Sequence, residues 1–281
     1  MSRPPIGHSA EIVSTVTDAI RVHYSIGARA IQLTLGDPSS QSLRSIADGD
    51  AVTVRAIRDR HKFYVVVHGK YLYNFCKQFP WQRPLLVKEL QQAEKIGADV
   101  IIHQGKNMAE LGLSKEEAHQ TFVDNVSKCL SASETTNKII LENSARQGTE
   151  CGYSLDDLVD IYSRFPEADR ERLGFCIDLC HIFVAGELDV RSLPLVVDWF
   201  DRFDKQIGLD KLSVIHFNDS NTDFDGANDN HGSIGQGYIG SKSMEGFQYI
   251  CKLAGQHGIP LILETSPVHM KAELELLHKW C

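Results

Sequence analysis

Short apolar runs alternate with amphipathic segments along nearly the whole chain. The runs at residues 5–7, 30–35, 63–68, 99–103, 138–142, 174–178, 212–216 and 259–264 predict eight strands. Most are continuous in apolar residues, as strands covered on both faces must be. Between them the period changes. Leu86, Leu90, Ala93 and Ile96 recur at three-to-four spacing and predict a helix over 85–96. Ser114-Lys-Glu-Glu117 has the form of a capping box, and Ser154 with Asp156 and Asp157 behind it marks another helix start. Gly27, Gly97 and Gly258 each follow a helical segment and precede a strand, where a left-handed stop is expected. Eight strand–helix units predict a (β/α)8 barrel forming one domain over residues 1–281. The alternative is an open doubly wound sheet, which gathers its site at a single switch point.

Six of the runs end in, or just before, a metal-capable side chain. They close on His68, His103, Glu142, Asp178, His216 and Glu264. His181 stands three residues past Asp178, and Asp229-Asn230-His231 adds two further donors. In a parallel barrel the strand C-termini share one face, so these five histidines and four carboxylates are expected to meet at the C-terminal mouth. Imidazole and carboxylate are zinc donors, whereas magnesium and calcium favour all-oxygen shells. The expectation is about three zinc ions, with manganese or iron as substitutes, held by His68, His103, Glu142, Asp178, His181, His216, Asp229, His231 and Glu264. Clustered ions suit phosphoryl displacement, because they stabilise both the attacking and the leaving oxygen.

Composition narrows the class further. A net charge of −8 argues against a generally basic nucleic-acid binder. It does not exclude a nucleic-acid enzyme: three divalent ions add about +6 where Glu142, Asp178, Asp229 and Glu264 supply roughly −4. No apolar stretch of about 18 residues suggests a membrane span. Residues 1–5 are followed by no apolar secretory segment. Seven scattered cysteines without a C-x-x-C pair suggest buried thiols in a reducing intracellular compartment, cytoplasm or nucleus and nucleoid. Cys176 reads as a core residue and Cys180, among the candidate ligands, as a thiol packed behind them, with a zinc-bound thiolate as the alternative. His23, His61, His119, His257, His269 and His278 fall in helical or terminal segments and read as surface or core.

Leu141-Glu142-Asn143, Ile177-Asp178-Leu179-Cys180-His181, His216-Phe217-Asn218-Asp219-Ser220, the Asp-x-His-x-x-Ile-Gly-x-Gly-x-Ile-Gly run over residues 229–240, and Leu263-Glu264-Thr265 together resemble the endonuclease IV family of apurinic/apyrimidinic endonucleases. That resemblance spans nearly the whole chain. It implies a trinuclear zinc barrel that hydrolyses the phosphodiester 5′ to an abasic site in duplex DNA and leaves a 3′-hydroxyl. It leaves open whether 3′-phosphodiesterase or 3′→5′ exonuclease action accompanies this. By position, His68 and His103 hold one ion, with Glu142 bridging to a second. Asp178, His216 and Glu264 complete the second site, and His181, Asp229 and His231 hold the third. Glu142 and Glu264 are the expected catalytic carboxylates. Tyr71 and Leu72 match the pair that fills the gap left by the flipped nucleotide. The expected partner is damaged duplex DNA, with the chain acting as a monomer and without an obligate protein partner.

The sequence also departs from that family. The loop at residues 35–40 lacks the usual Lys and intercalating Arg, and Asn230 stands where Arg is usual. Lys70, Lys106 and Arg146 are basic where the family is usually neutral, and are expected to carry relocated phosphate contacts. The rival reading is a metal-dependent sugar isomerase or epimerase of the xylose isomerase-like barrels. It needs only Glu142, Asp178, His216 and Glu264 and leaves the other five donors without a role. A non-catalytic damage-binding protein with a structural metal fits less well, because structural zinc sites close on four ligands.

Overall fold

The computed structural model describes residues 3–281. Met1 and Ser2, where the N-terminal stretch discussed above begins, lie outside the described residues. Eight parallel strands close into a barrel: β1 Ile6–Ala10, β2 Ala30–Thr34, β3 Tyr64–His68, β4 Asp99–His103, β5 Ile139–Glu142, β6 Leu173–Asp178, β7 Leu212–His216 and β10 Leu261–Leu263. They stand in chain order around the ring, with β10 between β7 and β1. A two-stranded antiparallel ribbon, β8 Asp219–Ser220 and β9 His231–Gly232, sits between β7 and the last barrel strand. The helices are α1 Val16–Ser25, α2 Asp48–His61, α3 Gln82–Lys95, α4 Lys115–Ser133, α5 Leu155–Arg164, α6 Glu167–Arg170, α7 Leu179–Val184, α8 Leu193–Gln206, α9 Glu245–His257 and α10 Met270–Trp280.

The expected helix signals act as read. Ser114 and Glu117 form a reciprocal capping box on α4, and the Ser154 hydroxyl accepts the Asp157 N–H at the start of α5. Gly27, Gly97 and Gly258 all have positive φ. Four strands shift by a single residue at one end, and the first and last differ by more. The first runs Ile6–Ala10 rather than 5–7, because backbone pairing with β2 continues through the polar His8 and Ser9. The last is only Leu261–Leu263, so Glu264 follows the strand rather than ending it.

Strand periodicity explains why so many ligands meet. Side chains on a strand alternate between two faces. Ala30, Val66, Ile101, Ile140, Cys176, Val214 and Ile262 form the barrel's inner cluster. The neighbouring positions, such as Ile31, Val67, Ile102, Leu141, Ile177, Ile215 and Leu263, pack outward against the helices. His68, His103, Glu142, Asp178, His216 and Glu264 lie two residues beyond inner positions, so all six point to the axis. Inner space is tight near the other end of the barrel: a Cβ on Gly7 would stand 1.8 Å from the Ala30 carbonyl oxygen.

Cys251 and Cys281 are joined as a disulfide, unlike the free thiols expected. They are 30 residues apart in sequence, but α10 packs on α9 and brings their Cα atoms to 5.3 Å. Cys76, Cys129, Cys151, Cys176 and Cys180 are buried and free. Among the described residues no helix is long and apolar enough to cross a membrane.

Candidate metal centre

All nine expected donors gather at the C-terminal mouth of the barrel. Seven of them line a cleft of about 580 Å³ there: His68, His103, Glu142, His181, Asp229, His231 and Glu264. Asp178 and His216 lie beneath, fully buried. Three overlapping groups made of the expected donors alone have ligand atoms within mutual reach: His68, His103 and Glu142; Glu142, Asp178, His216 and Glu264; and Asp178, His181 and His231; two further groups add a thiol, Cys176 with Glu142 and His216, and Cys180 with Asp229 and His231. Of the three thiol-free groups, Glu142 belongs to the first and second and Asp178 to the second and third, so these carboxylates are the shared elements. Glu142 Oε2 is 3.1 Å from His68 Nε2 and 3.4 Å from His103 Nε2, while its Oε1 is 2.8 Å from His216 Nδ1. Asp229 stands 3.1 Å from His181 Nε2 and 3.0 Å from His231 Nε2.

Two of these approaches identify what the cluster is built for. His181 Nε2 and His231 Nε2 are buried and close to carboxylate oxygens, yet neither makes an aligned hydrogen bond. Nitrogens and oxygens that converge on a common point without addressing each other are arranged as ligands. The opposite ring nitrogens are fixed by hydrogen bonds. His68 Nδ1 is 2.9 Å from the Gly69 carbonyl, His181 Nδ1 is 2.9 Å from the Asn143 carbonyl, and His216 Nε2 is 2.7 Å from Gln32 Oε1. Such outer partners fix the tautomer and orient the ring toward an ion. The donor set therefore fits divalent metal.

The electrostatics agree. Burial works to raise Glu142, but His216, His103 and His68 outweigh it and hold the carboxyl well below its ordinary range. Burial likewise opposes charge on His231, but Asp178 and Asp229 lift it to about 9. His181 and His216 are held well above the usual imidazole range against the same burial, by Asp178 and Asp229 for the first, and by Cys176, Glu264 and Glu142 for the second. Burial pushes the Cys180 thiol up to about 12, as befits a packed thiol behind the ligands.

Sequence reasoning missed the residues that hold the ligands. Gln32, on β2, donates to Glu264 Oε1 at 2.6 Å while accepting from His216. It lies two residues past inner-facing Ala30, so the strand period alone could have found it. Asn218 Nδ2 donates to Asp178 Oδ2 at 2.7 Å, and its Oδ1 accepts the Glu264 N–H at 2.8 Å. Asn143 Oδ1 accepts the Asp178 N–H at 2.7 Å. The Asp219 carboxylate accepts N–H groups from Gly235, Gly237, Ile239 and Gly240 at 2.9–3.1 Å, which fastens the glycine-rich loop after β9. A Cβ on Gly237 would fall 2.3 Å from the Ser220 carbonyl oxygen, so only glycine permits that wrap.

The expected DNA contacts separate into two groups. Tyr71 and Leu72 stand exposed on the cleft wall, the Tyr71 ring edge-on to His68 with centroids 5.2 Å apart. Lys106 also lines the cleft, its Nζ 3.5 Å from Glu150. Lys70 does not: it is buried, and its ammonium donates to the Leu35 and Asp37 carbonyls at 2.9 Å each. It braces the loop after β2, so the expectation of a free phosphate contact is corrected. Arg146 pairs with Asp225 outside the cleft lining.

A closed parallel barrel with this mouth belongs to a known class. The chain is a xylose isomerase-like TIM barrel, matched over residues 20–279 by that family's profile. Within that class it belongs to the endonuclease 4 family. It is 35% identical over 268 residues to the putative endonuclease 4 of Acanthamoeba polyphaga mimivirus, across 92% of this chain and 85% of that protein. It is 34% identical over 224 residues to apurinic-apyrimidinic endonuclease 1 of Schizosaccharomyces pombe, across 76% of this chain and 62% of that protein. The solved endonuclease IV of Thermus thermophilus superposes with a TM-score of 0.83 at 24% identity, over 99% of this chain and 98% of that one.

Proposed function

We propose that this chain is an abasic-site endonuclease acting as a monomer. It hydrolyses the phosphodiester 5′ to an apurinic/apyrimidinic site in duplex DNA, leaves a 3′-hydroxyl, and uses a trinuclear zinc centre. The observation that carries the reading is the set of nine converging donors, two of whose buried imidazole nitrogens are aligned for no protein partner. An isomerase needs four of these donors, whereas a cluster serving a phosphodiester accounts for all nine. His68, His103 and Glu142 hold the first ion; Glu142, Asp178, His216 and Glu264 hold the second; His181, Asp229 and His231 hold the third, with Asp178 bordering it. Bound there, the ions supply Lewis acidity that neutralises the phosphodiester and lets water ionise near neutral pH.

The chain's own groups do the rest. Glu142 and Glu264 are placed to receive or steer protons at the attacked phosphate, because both carboxylates border the cleft. Gln32, Asn143 and Asn218 hold ligand geometry before substrate arrives, so little reorganisation falls on the reaction itself. Tyr71 and Leu72 present an aromatic and an aliphatic side chain that can replace the stacking lost at a flipped abasic nucleotide. Lys106 reaches phosphate from the same wall, and Arg146 can do so once released from Asp225.

The deciding experiment is incision of a duplex carrying one tetrahydrofuran abasic analogue, with and without a zinc chelator. That analogue cannot undergo β-elimination, so a cut means hydrolysis. A chelator-sensitive nick immediately 5′ to the lesion with a 3′-hydroxyl is expected. An intact duplex after incubation with zinc-loaded protein would overturn the proposal.

A further inference from the structure

One buried acid has no part in the reaction above. Glu273 lies in the first turn of α10 and is buried. An acid there commonly serves its own helix, whose N-terminus favours negative charge. Glu273 instead turns both oxygens to other parts of the chain. Its Oε1 accepts the Ile234 N–H at 2.8 Å, and its Oε2 accepts the Thr265 hydroxyl at 2.5 Å. Among the described residues no lysine, arginine or histidine nitrogen lies within ion-pair distance of it. His8 reaches it only by way of the Thr265 oxygen, which lies 3.5 Å from His8 Nε2.

Both partners belong to segments that carry metal-site donors. Thr265 follows Glu264 directly, and Ile234 stands three residues past His231. The segments reach the mouth separately: Glu264 and Thr265 leave β10, whereas His231 and Ile234 belong to β9 and the glycine-rich loop behind it. The two donors face each other where the second and third groups meet, with His231 Nδ1 3.9 Å from Glu264 Oε2. Other supports hold the segments one at a time. Asn218 accepts the Glu264 N–H, and Asp219 gathers the N–H groups of Gly235, Gly237, Ile239 and Gly240. Glu273 takes one donor from each segment on a single side chain. Burying a carboxyl among neutral donors costs desolvation that an apolar side chain avoids. Docking of α10 does not call for it, since Leu274 and Leu277 of the same helix are already buried in the core. What two oxygens on one rigid plane do supply is a fixed distance between two donors.

We propose that Glu273 is a positioning residue that sets the gap between Glu264 and His231, and through it the affinity of the third ion. This rests on the metal-centre reading above. Slack at this joint falls on the third ion first. Its ligands Asp229 and His231 sit on a loop and a two-residue strand and are exposed or partly so, whereas Glu142, Asp178 and His216 of the second site end barrel strands and are buried. Cutting the joint therefore frees the His231 segment to drift from Glu264 while the strand-end donors keep their places.

The test measures zinc rather than cleavage. Each protein is stripped of metal and titrated with zinc against a chromophoric chelator, and its Tm is recorded with and without zinc. Wild type is expected to fill three sites. Glu273→Leu should hold the last ion about 10–100-fold more weakly, the usual effect of removing an outer partner, and should gain less Tm from zinc. Glu273→Gln is the conservative variant. Its carbonyl can accept the Ile234 N–H while its amide donates to the Thr265 oxygen, so it should bind zinc as wild type does. Thr265→Val cuts the same joint at one hydroxyl and should weaken the same ion, which keeps the test decisive if Glu273→Leu fails to fold. A lowered metal-free Tm with wild-type zinc affinity in Glu273→Leu would mean that Glu273 only fastens α10, and would overturn the proposal. Wild-type affinity in Thr265→Val, or ions weakened equally at all three sites, would overturn it as well. A wild-type protein that binds no zinc would overturn the metal reading and this inference with it. An abasic duplex left uncut by protein that shows the expected zinc pattern would overturn the nuclease reading alone.

Discussion

Gln32 shows how one side chain can govern a site it does not join. It carries no charge and is buried, yet it touches His216 with its oxygen and Glu264 with its nitrogen. The oxygen fixes the proton of His216 on Nε2 and so leaves Nδ1 free to face the ion. The amide nitrogen spends one lone pair of Glu264 and leaves the other oxygen, 3.2 Å from His216 Nδ1, aimed at the same point. Replacing Gln32 by Leu keeps the volume but leaves a buried N–H and a buried carboxylate oxygen unpaired. Outer partners of this kind typically change metal affinity by about 10–100-fold. Gln32→Leu is therefore expected to weaken zinc binding by that factor while the protein stays folded, as read by competition with a chromophoric chelator. An affinity within twofold of wild type would mean that the ligands hold their own geometry. The same reasoning limits what charge alone implies. Lys70 looked like a phosphate contact because it is basic where the resembled family is usually neutral, but its ammonium is spent on two carbonyls, and only the folded loop reveals that.

At the scale of elements, the loop after β3 rests on α3 through a buried acid. Glu89 is fully buried, its Oε2 accepts the Tyr73 hydroxyl at 2.9 Å, and its Oε1 has no partner. Burial pushes it up to about 7, against the opposing effects of Tyr73, Lys70 and His68. In the unfolded chain the same carboxyl ionises above about 4.5. Between those values the unfolded state has lost a proton that the native state retains, so stability falls as pH rises. At about 1.4 kcal/mol per pH unit the loss totals about 3 kcal/mol by pH 7, with no further change above it. Glu89→Gln removes this dependence. Its stability relative to wild type should rise by about that amount between pH 4.5 and 7.5 in paired urea melts, where effects common to both proteins cancel. A constant difference across the range would show that Glu89 is ionised in the native protein. Elements were the level at which the sequence was most legible. Apolar runs, helix caps and glycine stops placed the strands and helices, and the strand period carried six ligands to one axis. What stayed hidden has a common physical form. Gln32, Asn143, Asn218 and Glu89 act through partners distant in sequence; the strand period could place Gln32 at the mouth, but nothing local tells which partner an amide or acid meets. The Cys251–Cys281 bond was hidden for the same reason, since only the packing of α10 on α9 brings the two together.

For the molecule as a whole, the question is whether the metal centre holds the barrel together or the barrel holds the metal. Two apolar layers answer in favour of the barrel. One fills its interior and the other lies between strands and helices, and neither depends on the mouth. A core of this size does not need a metal to fold, unlike domains too small to bury enough surface. Without ions the mouth is also not a bare cluster of like charges. His181, His216 and His231 are all raised, so at neutral pH they carry protons that compensate Glu142, Asp178 and Asp229. Metal uptake must displace those protons, and acid therefore weakens it. Stripping the ions should leave the barrel folded at 25 °C but remove the mass-action stabilisation they provide. That amounts to about 4 kcal/mol when free metal exceeds the dissociation constant a thousandfold. For a chain of this length it corresponds to a fall of roughly 10 °C in Tm. Chelation followed by circular dichroism and calorimetry separates the outcomes. An unchanged far-ultraviolet spectrum with a lowered Tm is expected. Unfolding at 25 °C would make the centre structural, and an unmoved Tm would mean that the nine donors bind no ion in the native protein.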